Sequence, residues 1–378
     1  MRTLTRQEEI IVNRLGSAAS RFWAAKPAGA HELVGLQYVR AIAALMVVAR
    51  HVALTMGEPQ YFGRPVWGGV LATGQVGVDV FFCLSGFIIV YIAVDDRGAP
   101  TMGSWVFLRR RFARIIPFMW LVVVAYAALR ALGRGAFPAW NYARAATLFP
   151  LGDVDPSVVW TLRYEALFYG VFALSLLSRR PWLLLGWALS PFALLGFNRL
   201  FGPFEGFGPD LAGFLFSPIN LLFALGSAVS LFYGHRRTAW PTTSWAAPAL
   251  MVGMTAVFLI ALAIDYQRDV VWQVLIVGLA SCVSLALACS VTSSGGWIAG
   301  LGRRLGDASY CIYLSHIAFV SAILGLIFHH ARGLPDVAIV VGTFVLAVSA
   351  GLVLHYVAER PVVAYAQRLV FPGRVAGR

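Results

Sequence analysis

The chain has 378 residues, of which 59% are apolar and only 12% are charged, and its formal net charge is +13. Soluble domains sit nearer ~45–50% apolar, so this composition excludes a soluble globular, disordered or fibrous protein and leaves an all-α, polytopic membrane protein. Of the 30 basic residues only Lys26 is lysine. The arginines fall in the connections between apolar runs, so the charge marks topology and not a nucleic-acid partner.

Residues 1–32 hold Glu8, Glu9, Arg14 and Arg21 and no long apolar core, which reads as a cytoplasmic tail without a cleavable signal. A hydrocarbon core of ~30 Å needs about 20 apolar residues as helix. Ten segments meet that need: 33–56, 71–94, 115–132, 158–177, 182–197, 211–233, 245–264, 271–291, 310–329 and 337–358. A Gly/Pro-rich stretch at 196–210 separates the fifth from the sixth. The membrane domain is therefore expected over 33–360, with a short C-terminal tail at 361–378. Twenty Arg/Lys residues fall in the termini and even connections, seven in the odd connections, and Arg40, Arg50 and Arg163 within spans. Positive charge collects on the cytoplasmic side, so both termini are expected inside. The four cysteines lie in apolar runs. Cys282 and Cys289 are two helical turns apart, roughly 10 Å, too far to bond.

Ionisable groups inside spans cost about 2.5–3.5 kcal/mol each and mark functional sites by default. Arg40 and His51 are 11 residues apart in the first span. That offset falls ~20° past three full turns, so both point the same way, roughly 16 Å apart along the axis. Arg50 points elsewhere. Asp79 enters the second span and Glu165 the fourth, and the spans place His51, Asp79 and Glu165 in one layer of the outer leaflet. A histidine with two carboxylates at one depth reads as a catalytic or proton-handling cluster, with Asp79 or Glu165 as the group that orients His51. His316 lies in the ninth span with Tyr310 and Tyr313 at three-residue spacing. Taken alone it reads as a histidine hydrogen-bonded between helices; the three together form a candidate substrate-binding face. Ser85 has no strand-to-helix elbow around it, so Ser85-Gly86 reads as a small pair that lets helices approach. Arg109, Arg110, Arg111 and Arg114 open the third span, either as lipid anchors or as an anion site.

Five stretches carry a resemblance: LQYVRAIAALMVVARH, GVDVFFCLSGFII, RRRFARIIPFMW, WTLRYEALFY and LGDASYCIYLSH, followed by Glu359-Arg360-Pro361. In that order they resemble the acyltransferase-3 superfamily of integral membrane acyltransferases. The resemblance implies transfer of an acyl group, commonly acetyl, from cytoplasmic acyl-CoA to a hydroxyl of a carbohydrate such as an exopolysaccharide or lipopolysaccharide, or of a secondary metabolite such as a macrolide. It implies that His51 and Arg40 are essential and that Arg111 and Arg114 bind the donor; the residues themselves add Glu165 or Asp79 as catalytic support and Arg110 as a further donor contact. No metal and no permanently bound cofactor are expected; acyl-CoA is a substrate. The expected partners are the bilayer, acyl-CoA and a glycan or lipid-linked saccharide, and the expected location is a bacterial inner membrane. A flippase of lipid-linked saccharide and a non-catalytic scaffold are the competing classes; the absence of a matched internal repeat weighs against the first. Reporter fusions test the orientation. Gly98 and Arg378 are expected to read cytoplasmic and Asn141 external; an external reading at Gly98 overturns the assignment.

Overall fold

The computed structural model describes residues 33–95, 97–134, 138–180, 182–202, 209–236, 240–292 and 296–371. The expected N-terminal tail, the last seven residues and part of the 196–210 stretch lie outside these. Among the described residues the chain is helical, with two isolated bridges and no strand. We number the helices α1 Val34–Gly57, α2 Val76–Ala93, α3 Ser104–Arg134, α4 Ala139–Thr147, α5 Trp160–Ser178, α6 Trp182–Phe201, α7 Pro209–Leu215, α8 Ile219–Arg236, α9 Ala246–Ala263, α10 Val271–Ser290, α11 Trp297–His330, α12 Asp336–Leu354 and α13 Arg360–Val370.

Nine helical segments among the described residues are long and apolar enough to cross a membrane. The remaining expected span, 158–177, is present as α5, a helix of 19 residues that Arg163 and Glu165 make less apolar than those nine. The region after α6 divides as expected: α6 ends at Phe201, and the next crossing is built from α7 and α8 around a break at Ser217-Pro218. Pro218 has no amide hydrogen to give to a helical ladder, so α8 starts afresh behind it.

α1 and α2 form the centre of the bundle. α1 packs on α2, α10, α11 and α12, and α2 packs on α8. Small residues set these contacts, because between apolar helices in lipid close backbone approach takes the place of the hydrophobic drive. A Cβ on Gly86 would lie 2.0 Å from the Phe223 carbonyl oxygen, and one on Gly226 would lie 1.7 Å from that of Cys83, so α2 and α8 interlock through reciprocal glycines. Gly306 on α11 seats against the Gln37 carbonyl of α1 in the same way. Around this centre, large apolar side chains such as Leu132, Leu177, Leu326 and Val357 turn outward, where acyl chains replace water.

α11 has 34 residues and is thus roughly 50 Å long, against a hydrocarbon core of about 30 Å. Its first turns, with Arg303 and Arg304, therefore project beyond the core. α12 continues into α13 through a π-turn at His355–Glu359. Pro361 cannot donate to the Val357 carbonyl, and the wider turn absorbs that missing bond. α13, which begins where the C-terminal tail was expected, packs on α3. Gly226→Ala is expected to destabilise the protein by at least the ~1–3 kcal/mol of an overpacked core. Gly342→Ala, at a position open within 4 Å, should leave it unharmed. Melting temperatures of detergent-purified variants check this; equal values would remove the interlock.

Candidate active site

A cavity lies between α1, α2, α3, α5 and α11. One end is basic. Arg40 of α1, Arg111 and Arg114 of α3 and Ser309 and Tyr310 of α11 line it. Two of these guanidinium groups, Arg40 and Arg114, are held in place by polar partners. Arg40 donates from Nε to Ser309 Oγ at 3.1 Å. Arg114 is paired with the buried carboxylate of Glu359 at 2.6 Å and stacks over Tyr310, whose hydroxyl donates to the Ile115 carbonyl at 2.9 Å. The other oxygen of Glu359 meets His355 Nδ1 at 2.6 Å across the π-turn. Arg111 is in no ion pair among the described residues, and its buried Nε has no partner. Arg109 and Arg110 turn away from the cavity: Arg109 donates to the Val370 carbonyl, and both stack on Phe371. The structure thus brings Arg111 and Arg114 to one site and sends Arg110 to the α13 side.

Glu165 lines the middle of the cavity. Its Oε1 accepts from Ser85 Oγ and from the Tyr169 hydroxyl, the latter at 2.6 Å. Ser85 is thus more than the spacer the sequence suggested. Gly86 makes the close approach, and the Ser85 hydroxyl ties α2 to α5. Asp79 is elsewhere. Its two oxygens take Arg268 Nε and Nη2, each at 2.9 Å, and Arg268 also bonds the Gln75 carbonyl and stacks over Trp160.

These contacts correct the single layer expected for His51, Asp79 and Glu165. Asp79 and Ser85 are six residues apart on α2, so Glu165, held by Ser85, lies about 9 Å from Asp79 along the helix axis. Gly74 packs on Met46 and Arg50, and Gly77 on Ala43 and Val47, so α1 and α2 run antiparallel with His51 beyond the start of α2. The three groups form a staircase because their helices begin at different depths. Neither carboxylate orients His51.

The orientation of His51 comes from its own helix. His51 Nδ1 lies 2.9 Å from the Val47 carbonyl oxygen. A carbonyl only accepts, so Nδ1 carries the proton and Nε2 keeps its lone pair. The ring meets that of His316 edge to face at 4.7 Å. His316 is set likewise, with Nδ1 2.6 Å from the Tyr313 carbonyl, and its buried Nε2 has no partner. Arg40 and His51 both reach α11, one to Ser309 and the other to His316. The histidines stand behind a wall of Tyr313 and Phe81. Tyr313 lines the cavity, shares a 3.0 Å hydrogen bond with Thr161, and packs edge to face on Phe81 at 6.0 Å, with its ring 5.9 Å from that of His316.

An acyltransferase domain model matches residues 33–356, a stretch that contains every helix lining this cavity. The chain belongs to the acyltransferase-3 family. It is similar to the exopolysaccharide production protein ExoZ of Rhizobium meliloti, 29% identical over 81% of this chain and 94% of that one. It is also similar to the acyltransferase MdmB of Streptomyces mycarofaciens, 26% identical over 87% of this chain and 91% of that one. A 93-residue stretch is 34% identical to protein 2 of the picA locus of Rhizobium radiobacter, covering 25% of this chain and 43% of that one. No solved structure matches. The protein is therefore a multi-pass membrane acyltransferase that transfers groups other than amino-acyl groups.

Four residues escaped the sequence reading of the site: Ser309 and Thr161, which line the acyltransferase cavity, Glu359, which holds Arg114, and Arg268, which holds Asp79. Glu359 and Arg268 gave no local signal, because their partners Arg114 and Asp79 lie 245 and 189 residues away in sequence. The Asp79–Arg268 pair gives a direct test. Breaking a buried pair from one side costs about 3–5 kcal/mol, whereas replacing both partners leaves no stranded charge. Arg268→Leu should therefore lower the melting temperature more than Arg268→Leu combined with Asp79→Leu. A double variant that melts lower than the single would contradict the pairing.

Proposed function

We propose that this acyltransferase moves an acyl group, acetyl in the simplest case, from acyl-CoA to a hydroxyl of a cell-surface or exported carbohydrate. The observation that carries the reading is the polarity of the cavity. Guanidinium groups gather at one end, and beyond Tyr313 and Phe81 stands a histidine whose Nε2 is free to take a proton. Guanidinium groups match phosphate oxygens with forked donors, and an imidazole is the usual base for a hydroxyl. Arg111 is the first choice for the phosphates of coenzyme A, because Glu359 already occupies Arg114. The arginine-rich end also carries Arg109, Arg110, Arg303 and Arg304, which supports a cytoplasmic donor under the positive-inside rule. Similarity to an exopolysaccharide production protein over most of both chains supports a carbohydrate acceptor and a bacterial inner-membrane setting.

In this reading the acyl chain and thioester pass from the arginines along Ser85, Glu165 and Thr161 to the Tyr313 wall. His51 Nε2 removes the hydroxyl proton as the oxygen attacks the thioester carbon. The carbon–sulfur bond then breaks, and the proton passes from His51 to the departing thiolate. The products are the ester and free coenzyme A.

A positioned base contributes typically ~10²–10⁴-fold. His51→Ala is therefore expected to lose about that factor in kcat with labelled acetyl-CoA and a glycan acceptor in nanodiscs, while the protein keeps its melting temperature. Arg111→Gln should raise KM for the donor and leave kcat close to wild type. Turnover by His51→Ala at the wild-type rate would remove His51 as base, and an unchanged donor KM in Arg111→Gln would make that arginine a topological anchor. Saccharide crossing liposomes without acyl transfer would favour a flippase.

A further inference from the structure

The connection between α4 and α5 gathers two guanidinium groups on one glycine. Arg163 of α5 is only 8% exposed, and its Nη1 donates to the Gly152 carbonyl at 2.8 Å. Arg144 of α4 packs against the same residue: a Cβ on Gly152 would lie 2.6 Å from Arg144 Nη1. Gly152 stands at φ +72° and carries no side chain, which lets that guanidinium lie on the backbone.

Like charges gathered in this way repel, and the fold does not neutralise them. Among the described residues neither arginine is in an ion pair. Nε of Arg144 and both Nε and Nη2 of Arg163 are buried without a partner. The carboxylate next to Gly152, Asp153, is exposed and forms no ion pair among the described residues, and Asp155 accepts from Asn141 at 3.1 Å. Buried donors without acceptors are costly, and forked guanidinium donors match the paired oxygens of a carboxylate or phosphate.

Two features bear on which molecule brings that anion. Trp140 is 65% exposed, with the Arg144 guanidinium 5.5 Å from its ring centroid, so a flat apolar surface suited to the C–H face of a sugar borders the charge. Thr161, in the same first turn of α5 as Arg163, shares a hydrogen bond with Tyr313 of the cavity wall. The two positions point about 200° apart, which sets the arginines roughly one helix diameter, ~10 Å, from that wall. A lipid phosphate needs no such neighbour, whereas a saccharide whose hydroxyl enters at the wall does.

We propose that Arg144 and Arg163 form an acceptor subsite that binds the acid group of an acidic saccharide while a hydroxyl of a neighbouring sugar is acylated. The inference rests on the carbohydrate acceptor proposed above and adds its charge. The connection lies on the side expected to be external from the distribution of arginines, where an exported glycan is met. The subsite selects the acceptor and takes no part in bond making, so it acts on acceptor KM.

The test uses full-length protein in phosphatidylcholine nanodiscs with labelled acetyl-CoA and two probes: a tetrasaccharide carrying one glucuronate, and the same tetrasaccharide with glucose in its place. Losing a hydrogen bond to a charged group corresponds to about 10-fold or more. Wild type is expected to show an acceptor KM lower by about that factor for the glucuronate probe. Arg144→Gln, which leaves the buried Arg163 in place, should erase most of the difference without changing kcat, KM for acetyl-CoA or KM for the neutral probe. Equal KM values for the two probes in wild type, or a preference that survives in Arg144→Gln, would overturn the proposal. If phosphatidylglycerol added to the nanodiscs is then retained by wild type and lost from Arg144→Gln, the pair holds a lipid phosphate instead. These outcomes leave the acyltransferase reading intact as long as the neutral probe is acylated. If neither probe is acylated, the carbohydrate reading fails, and calorimetric titration of the glucuronate probe without acetyl-CoA decides the subsite: binding weakened in Arg144→Gln supports it, and equal binding overturns it.

Discussion

A carboxylate or guanidinium taken out of water into a helix bundle within a bilayer must be met by an opposite charge or a set of hydrogen bonds, and this requirement organises the molecule. Asp79 at the start of α2 is met by Arg268 from the connection between α9 and α10. Arg114 on α3 is met by Glu359 from the π-turn before α13, with His355 on the remaining oxygen. Glu165 on α5 is met by hydroxyls of α2 and of its own helix. The Asp79–Arg268, Arg114–Glu359 and Ser85–Glu165 contacts tie segments distant in sequence, so these polar groups act as register pins while the glycine contacts of α2 with α8 and of α1 with α11 set the spacing.

What the pairing leaves over is the chemistry. With the acids occupied, His51 and His316 are oriented by backbone carbonyls, and Arg111 is in no ion pair among the described residues. α11 carries the elements that connect these ends: Ser309 and Tyr310 at the arginines, Tyr313 in the wall, and His316 behind it. These positions recur at intervals of three and four residues, so one face of a single helix lines the whole route.

The helices were legible because hydropathy over some twenty residues is a strong signal, and Arg40 and His51 could be placed on one face by counting turns. The partners of the acids were not legible. Arg268 is 189 residues from Asp79, and Glu359 is 245 residues from Arg114, so no local period connects them. The expected layer of His51, Asp79 and Glu165 failed for a related reason. Sequence gives the distance of a residue from the end of its own apolar run, but not how far each helix is shifted against its neighbours. The pull of Arg109 and Arg110 toward Phe371 was hidden too, because it depends on α13 packing back on α3.

The claim that the arginine cluster and His51 serve one reaction is tested most directly by cryo-electron microscopy of the protein in nanodiscs with a non-hydrolysable acyl-CoA. The account predicts phosphates against Arg111 at the basic end, the pantetheine arm running past Glu165, and a thioester mimic beyond a displaced Tyr313. There His51 Nε2 should lie within roughly one bridging hydroxyl of the acyl carbon, at contacts of about 3 Å. Coenzyme A bound away from this cavity, or an acyl carbon directed from Arg111 toward the bilayer and away from His51, would contradict it.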